Sequence, residues 1–437
     1  MRRPWLLSWL AGILPLLAGC GGSPTASDGS IEAGWGPRVV LADLAVFDSP
    51  VGPSLDGDGA GNAIAVWAPS TQDYAPVLAR RYSAREGWMP VETIAAGGGG
   101  SVNTPTARMN ARGDVVAIWD GYAGLAASAA SSRSWQSPVI IGRSAAQMWS
   151  WGLDDEGRAL VVWLSGRSLL TSRLEPGSGW LPPATLPGAA GLASGLQTPT
   201  IAVSGSGHAI AAWSRALSPG VNEELWANAF DPRQGWAAPH RLGPQQASSR
   251  ALLATGFMNS EGDGLLCWYE SAFVGGVVYA SRYARATGFG PAEPLGLSAG
   301  SAIAAAIEPS RNVLVIYQSG PGLRRQRYLV GRGWQPPEPF EDVGGYDAVP
   351  LDDQGNGFVL WNERIGSDSV SIRSRRLASG LAVGAVEEVA PPFTGYAWFR
   401  GVPMDASGGI LAAWFQRVSA QGDAGRYALV ASRFRAD

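Results

Sequence analysis

Eight segments of this 437-residue chain share one pattern, and their repetition limits what the chain can fold into. Each segment opens with a polar residue, has glycine or a substitute three positions later, and ends in a five-residue apolar run that closes on an aromatic residue. The first segment is DGAGNAIAVW, residues 58 to 67. The closing aromatic residues lie 44 to 55 positions apart and are Trp67, Trp119, Trp163, Trp213, Trp268, Tyr317, Trp361 and Trp414. Such a period predicts tandem supersecondary units.

The start of each segment predicts a tight hairpin turn. An Asp, Asn or Ser side chain can cap its own turn, and a glycine three residues later tolerates the positive φ of a type I turn that ends in a bulge. Seven of the eight segments carry that glycine, whereas the sixth has Arg311. We therefore expect a different turn in the sixth segment.

The five-residue run after each turn is apolar at almost every position, as in AIAVW and VVAIW. An exposed antiparallel sheet alternates apolar and polar residues, so a strand that is apolar on both faces is expected to be buried on both. Each sheet must then lie between two others, as in a radial array. A second signal, a glycine followed by an aromatic residue and soon by proline, marks a fourth, outermost strand, since proline removes a ladder donor.

The two ends of the sequence share one unit. The last repeat passes Trp414 and stops at Asp437 without a glycine-aromatic strand, whereas Gly34 and Trp35 form such a strand with no unit before them. Joining the two pieces closes a ring. The predicted fold is an all-β, eight-bladed β-propeller over residues 34–437, with four-stranded antiparallel blades and an N-terminal strand that completes the last blade.

The first twenty residues predict an export signal, because a short basic stretch precedes an apolar segment and small residues. Residues 17–20, LAGC, resemble the lipobox of bacterial lipoproteins, which implies that Cys20 becomes the lipid-modified first residue. The family's inner-membrane signal would place Asp at position 21, so Gly21 implies the outer membrane. Residues 21–33 are small and polar and are expected to form a flexible tether. The predicted location is therefore the bacterial outer membrane, facing the periplasm or the surface.

The repeats resemble those of secreted bacterial β-propeller proteins and lipoproteins, and are broadly similar to sialidase-type and fucose-lectin-type propellers. A true sialidase Asp box has Asp five residues before the Trp, whereas the polar residue here stands nine residues before it. The resemblance therefore implies a fold and a cellular location, but it identifies no catalytic residue in this chain.

Few residues in the sequence suggest catalysis or metal binding. His208 and His240 are the only histidines and have no evident partner, so we expect neither a Ser/His/Asp triad nor a zinc site. Cys267 occupies an apolar position of its repeat and is expected to fill the core. The carboxylates at the start of DGDGAGN, Asp56 and Asp58, permit a calcium loop but fit a hairpin turn better. We predict no metal and no cofactor.

Two sets of residues are candidates for binding. The first set lies in the loops after the second and fourth strands, where propellers usually bind ligands, and comprises Tyr122, Trp149, Tyr269, Glu270, Tyr346, Glu363, Tyr396 and Trp398. The second set consists of arginines that directly precede the third-strand aromatic residue and could lie between blades. They are Arg81, Arg173, Arg282, Arg327 and Arg433. These arginines suit either a sugar ligand or a structural contact with a carboxylate or a neighbouring aromatic ring.

The leading functional hypothesis is a membrane-anchored, non-catalytic scaffold for protein–protein interaction, acting as a monomer. A lectin-like propeller and a sialidase-like glycoside hydrolase or lyase are the alternatives. Nucleic acid is not an expected partner, because the 33 basic residues are all arginines scattered along a chain with 36 acidic residues.

Overall fold

The computed structural model describes residues 34–44, 50–69, 75–97, 102–121, 123–131, 134–142, 148–192, 198–216, 223–245, 250–271, 276–297, 302–319, 322–341, 346–367, 369–379, 381–394, 397, 399, 401–417 and 426–436. In these ranges the regular structure consists of β-strands, and no helix there is long and apolar enough to cross a membrane. The predicted signal peptide, tether and Cys20 lie outside the described residues.

The first four blades follow one another along the chain. Blade 1 contains β3 (Val51–Gly57), β4 (Ala63–Ala68), β5 (Val77–Ser83) and β6 (Gly87–Ala95). Blade 2 contains β7 (Val102–Met109), β8 (Val115–Gly121), β9 (Gly124–Ala130) and β10 (Val139–Gly142). Blade 3 contains β11 (Trp149–Leu153), β12 (Ala159–Ser165), β13 (Ser168–Glu175), β14 (Gly179–Trp180) and β15 (Ala184–Thr185). Blade 4 contains β16 (Thr200–Val203), β17 (Ala209–Ala216), β18 (Glu223–Asp231), β19 (Gly235–Trp236) and β20 (His240–Gly243).

The remaining four blades complete the ring. Blade 5 contains β21 (Arg250–Met258), β22 (Gly264–Ser271), β23 (Gly276–Ala284), β24 (Gly288–Phe289) and β25 (Glu293–Leu297). Blade 6 contains β26 (Ala302–Ile307), β27 (Val313–Ser319), β28 (Gly322–Leu329), β29 (Gly333–Trp334) and β30 (Glu338–Glu341). Blade 7 contains β31 (Gly357–Arg364), β32 (Ser369–Ala378) and β33 (Leu381–Thr394). Blade 8 contains β34 (Ile410–Arg417) and β35 (Tyr427–Arg435), and β1 (Gly34–Trp35) and β2 (Val39–Leu44) complete it.

Blade 8 confirms the predicted closure. The N-terminal strands β1 and β2 both pair antiparallel with the C-terminal strand β35, with Gly34 opposite Arg435 and Val39 opposite Ala431. The innermost segments of blades 7 and 8 are reduced to isolated bridges, for example from Met404 to Ile410. The eight-bladed propeller with antiparallel four-stranded blades is therefore the observed fold.

The hairpin turns follow the predicted chemistry. Asp58 Oδ1 accepts the backbone N–H groups of Ala60 at 2.8 Å and Asn62 at 3.0 Å, and Gly61 has φ of 87°. The expectation for the sixth segment was wrong. Arg311 adopts φ of 66° and closes the same turn through its N–H to the Glu308 carbonyl at 2.8 Å. An ion pair from Arg311 Nε to Asp263 at 2.8 Å holds the side chain and helps to offset the cost of this backbone conformation.

The second strand of each blade is buried on both faces, as predicted. All six residues of β4 are buried, and the closing aromatic residues are between 0% and 7% exposed. Eight apolar clusters form the core, and each lies between two neighbouring blades. The fold is therefore held together mainly by burial between sheets.

The fourth strand is outermost, and proline interrupts it in most blades. In blade 3, for example, β14 and β15 both pair with β13 and are separated by Pro182 and Pro183. Blade 7 differs, because its fourth strand is the uninterrupted 14-residue β33 and lacks the glycine-aromatic pair.

Candidate functional site

Five interfaces between blades share one contact, in which an arginine of the third strand lies over an aromatic ring of the next blade. The distances from guanidinium carbon to ring centroid are 5.5 Å for Arg81 and Trp135, 5.4 Å for Arg173 and Phe230, 3.7 Å for Arg282 and Tyr328, 5.4 Å for Arg376 and Phe434, and 5.3 Å for Arg433 and Tyr82. Four of these arginines belong to the predicted interblade set. Such contacts combine a cation–π attraction with close packing of the flat guanidinium.

Carboxylates of the same chain complete several of these contacts. Glu92 pairs with Arg81 at 3.2 Å and accepts the indole N–H of Trp135 at 2.6 Å. Glu293 does the same for Arg282 at 3.4 Å and Trp334 at 3.1 Å. Asp405 pairs with Arg433 at 2.7 Å. A sugar that bound these arginines would have to displace partners that the chain already supplies.

The fifth predicted arginine makes no ring contact of this kind. Arg327 pairs with Glu308 at 3.6 Å and donates to the Ser379 carbonyl of blade 7. The register of blade 7 explains the difference, since Leu377 stands opposite Gly357 where blade 1 has Tyr82 opposite Ala63. Without an aromatic residue at that position, the guanidinium bonds to backbone.

The interface between blades 2 and 3 lacks the third-strand arginine and the third-strand aromatic residue that it would contact; here a first-strand arginine, Arg108, lies 5.9 Å from the centroid of Trp151. Ala129 stands opposite Val116 as Arg81 stands opposite Ile64, and Ala130 stands opposite Val115 as Tyr82 stands opposite Ala63. In other repeats the third-strand aromatic residue lies six positions before the aromatic residue of the fourth strand, as Tyr82 does before Trp88. The hairpin of blade 2 is one residue shorter, so the residue equivalent to Tyr82 is Ala130 and not Ala129, which lies six positions before Trp135. The facing residue of blade 3 is Leu174.

A groove of about 640 Å³ opens at this interface, and we call it the blade 2/3 groove. Its apolar wall contains Val116, Ala129, Leu174 and Pro176. The charged residues that line it are Arg112, Asp114, Glu156 and Glu175. The groove lies at the end of the propeller built from the turns between first and second strands and between third and fourth strands. This end is opposite to the loops that the sequence suggested as the binding face.

Three carboxylates and one arginine set the charge of the groove. Arg112 pairs with Asp114 at 3.2 Å and with Glu156 at 3.6 Å, whereas Glu175 pairs with Arg173, which extends away from the groove towards Phe230 of blade 4. The Glu156 side chain is 64% exposed. The lining is therefore acidic and open to solvent.

The loop residues predicted to bind occupy blades 3, 5 and 7 where the structure describes them. Trp149 begins β11 and packs partly buried against the core between blades 2 and 3. Tyr346 packs against the core between blades 6 and 7, and burial raises the pKa of its hydroxyl. Glu363 pairs with Arg373 at 2.6 Å. Tyr122, Tyr396 and Trp398 lie outside the described residues.

Glu270 and Tyr269 end the second strand of blade 5. Glu270 is buried, and its carboxylate accepts the backbone N–H of Gln245 at 2.9 Å and the indole N–H of Trp268 at 2.9 Å. This carboxylate therefore holds the loop after β20 in place. The ring of Tyr269 is half-buried and lies against Gly276, where a Cβ would come within 2.1 Å of it. Binding through these loops stays a prediction.

His208 does have partners, contrary to the expectation from sequence. Its Nδ1 lies 3.1 Å from Ser206 Oγ and its Nε2 lies 3.4 Å from Asp231 Oδ2. Burial and the positive charge of Arg285 lower the pKa of the imidazole, whereas the hydrogen bond to the Arg233 N–H and the contact with His208 lower that of Asp231. Ser206 Oγ also bonds Ser204 Oγ at 3.0 Å. His240, the other histidine, stacks on Phe289 with ring centroids 5.8 Å apart.

We assign the His208 cluster to a contact between two turns. In blades 1, 6 and 7 an asparagine at the position of His208 accepts a backbone N–H of the turn between the third and fourth strands, as in the 3.1 Å bond from Ala84 to Asn62. In blade 4 the matching residue is Pro232, which has no N–H. His208 reaches Asp231 instead and links the same two turns.

The remaining candidates for chemistry are used by the fold. Asp58 is engaged by its own turn, while Asp56 accepts the backbone N–H of Met109 in blade 2 at 2.9 Å, and burial raises its pKa. Cys267 is fully buried, which raises the pKa of its thiol. Among the described residues, no three His, Cys, Asp or Glu side chains form a group that could hold a metal ion.

Comparisons with known proteins give structural matches at low sequence identity. The chain matches no protein-family profile, and no curated protein sequence matches it. Similar solved structures include a protein of unknown function from Dyadobacter fermentans, with 12% identity, a TM-score of 0.39, and coverage of 91% of this chain and 99% of that one. A polysaccharide lyase has 10% identity, a TM-score of 0.47, and coverage of 89% and 91%.

A lectin from Aleuria aurantia in complex with α-methyl-L-fucoside has 16% identity, a TM-score of 0.37, and coverage of 65% of this chain and 93% of the lectin. Similarity at this level assigns no ligand and no reaction to this chain. Its functional residues must therefore be inferred from its own geometry.

Several residues of the blade 2/3 groove were not recognised from sequence. Arg376 was also missed as an interblade arginine, because blade 7 has no glycine-aromatic pair to mark the register. A signal for the groove was present, since Ala129 and Ala130 stand where other repeats have arginine and an aromatic residue. The carboxylates Asp114, Glu156 and Glu175 gave no such signal, because only the tertiary structure brings them to one interface.

Proposed function

We propose that this protein is a lipid-anchored binding protein of the bacterial envelope, which acts by holding a protein partner rather than by catalysis. The observation that carries the proposal is the blade 2/3 groove, an acidic opening of about 640 Å³ with an apolar wall. A volume of this size lies within the range of ligand-binding clefts. The groove also lies at the interface where Ala129 and Leu174 replace the third-strand arginine and its third-strand aromatic partner.

The support for a lipid anchor is the lipobox-like sequence of residues 17–20, LAGC, and the polar stretch after it. Several acyl chains on Cys20 would hold the protein stably on a membrane, since each buried CH₂ contributes about 0.8 kcal/mol. A tether of 13 residues, 21–33, would leave the propeller free to meet a partner beside that membrane.

Site-specific photo-cross-linking in intact bacterial cells tests the function. A photoreactive residue at Ser131, which is exposed at the groove, should yield a discrete cross-linked protein that mass spectrometry can identify. The matched control is Val386, which is half-exposed on the outer strand of blade 7 and should yield no such product. The variant Cys20→Ser should leave the membrane fraction and lose the cross-link.

A carbohydrate ligand is the outcome that would overturn the choice of a protein partner. Saturable binding of the soluble propeller to a glycan array, together with no cross-linked protein from Ser131, would favour a lectin. Cross-links from the opposite end, for example at Trp149, would keep the binding function and move it away from the groove.

A further inference from the structure

We propose that the blade 2/3 groove receives an arginine side chain of the partner, in the position that the chain's own arginine fills at five other interfaces. The inference rests on the proposed function, because it specifies how a protein partner would be recognised. The other interfaces of the propeller show how the same position is filled.

The five occupied interfaces define what the site requires. A guanidinium lies 3.7 to 5.5 Å from the centroid of an aromatic ring of the next blade. Carboxylates from the same region balance its charge, as Glu92 does for Arg81. The site is therefore a slot between two sheets that fits a flat cation with an aliphatic stem.

Between blades 2 and 3 the third-strand part of the slot is open, whereas Arg108 and Trp151 pack together on the first strands. Ala129 is the structural equivalent of the arginine, and Leu174 is the equivalent of the aromatic residue that it would contact. Ala129 and Leu174 are smaller than the arginine and the aromatic residue of the other interfaces. The groove is therefore open along Val116 and Leu174.

Loss of the arginine alone does not produce such a groove. The interface between blades 4 and 5 also lacks it, since Ala229 stands at the equivalent position. There Tyr283 and Phe289 pack with ring centroids 5.0 Å apart, and His240 stacks on Phe289. Because aromatic rings fill that interface, the open slot of blades 2 and 3 is a feature of that pair of blades.

The charges of the groove favour a cation from outside. Asp114, Glu156 and Glu175 line it, and Arg112 is the only cation among its lining residues. Arg112 is 51% exposed at the rim, where it pairs with Asp114 and Glu156. A guanidinium inside the groove would donate charge-assisted hydrogen bonds to these carboxylates and share them with Arg112 and Arg173. Its stem would pack on Val116, Leu174 and Pro176.

The first experiment measures binding of Nα-acetyl-L-arginine amide to the soluble propeller by NMR titration. We expect saturable binding with a dissociation constant on the order of 1 mM, as suits a single side chain. Nα-acetyl-L-citrulline amide has the same shape without the charge and should bind at least about tenfold more weakly, since charged hydrogen bonds are lost. Equal binding of the two compounds would contradict the proposal.

The second experiment fills the groove from within. Ala129→Arg restores the arginine of the other interfaces and should abolish binding of the arginine amide while the melting temperature is kept or raised. Val386→Arg adds the same charge at a distant exposed site and should leave binding unchanged. Glu175→Gln should weaken binding about tenfold, whereas Glu338→Gln, on the outer strand of blade 6, should not.

These results separate the inference from the proposed function. If Ala129→Arg folds and still binds the arginine amide, or if no binding saturates, the arginine slot is refuted. A protein cross-link from Ser131 that survives in Ala129→Arg would keep the binding function and refute only the slot.

Discussion

In blades 1, 4, 6 and 7, the residue five positions before the closing aromatic links the two turns at one end of its blade. Asn62, Asn312 and Asn356 accept a backbone N–H from the neighbouring turn at 3.0 to 3.1 Å. His208 links the turns differently, through Asp231, because Pro232 offers no N–H. The link in blade 4 therefore contains a titratable imidazole, whereas the asparagine links of blades 1, 6 and 7 do not titrate.

This exchange predicts that acid weakens blade 4. The pKa of His208 lies below its usual value of about 6.5 in the folded protein, so the unfolded chain binds the proton more tightly. This contribution is at its full value above pH 6.5 and is lost as the pH falls through 6.5 and below. Denaturant unfolding should show a loss of less than about 1 kcal/mol between pH 7.5 and 5.5, after allowance for solvent screening.

Two variants isolate the effect of His208. His208→Asn should be destabilised at pH 7.5, because the link is lost, and should lack this part of the pH dependence. The double variant with Pro232→Ala regains a backbone N–H and should recover stability without regaining the pH dependence. If His208→Asn keeps the same slope of stability against pH as the wild type, another group is responsible.

At the scale of the strand, the second strand of each blade places buried side chains in the contact between blades. Trp213 ends such a strand, is 2% exposed, and packs with Leu160 and Val162 of blade 3. Its ring therefore belongs to the core between two sheets, and no large part of it is open to a sugar.

The burial of Trp213 makes a quantitative prediction. Trp213→Ala should lower the free energy of unfolding by roughly 3 to 5 kcal/mol, because it removes a large buried ring and leaves a cavity. Leu381→Ala, at a half-exposed site on β33, is the control and should change it by less than about 0.5 kcal/mol. A near-neutral Trp213→Ala in urea unfolding would contradict a structural role for this ring between the blades.

At the scale of the whole molecule, the ring depends on two strands from the far end of the chain. β1 and β2 cover the open edge of β35, and the indole N–H of Trp35 donates to Ser374 of blade 7 at 2.8 Å. Leu41 and Leu44 are buried by this pairing. Without these strands, blade 8 would expose both an apolar face and a free strand edge.

Deletion of the two N-terminal strands tests this closure. Removing residues 34–44 from the soluble propeller should lower the free energy of unfolding by roughly 5 kcal/mol or more, since several buried apolar side chains are lost together. Removing residues 21–33 is the matched control and should leave thermal unfolding unchanged. Equal melting temperatures for the two deletions would show that closure contributes little.

Much of the fold is contained in local sequence. The polar residue and glycine specify the turn, because a capping side chain and a positive φ are properties of single residues. The apolar run specifies a strand buried on both faces, and the divided last repeat specifies a closed ring. Arg311 shows the limit of this reasoning, since its ion pair with Asp263 of blade 5 supports a turn that local preference alone disfavours.

Which residues line the candidate site is decided by contacts between neighbouring repeats. The sequence shows that blade 2 departs from the arginine and aromatic pattern, but the strand register was needed to place Ala129 at the arginine position. The sequence also did not show that Leu174 faces Ala129, or that Asp114, Glu156 and Glu175 share the resulting groove. Those residues come from different turns in two blades, and only the packing of one sheet on the next brings them together. Local sequence therefore determined the repeated scaffold, whereas the tertiary structure decided where that scaffold is left open, because the space between blades depends on side chains from both.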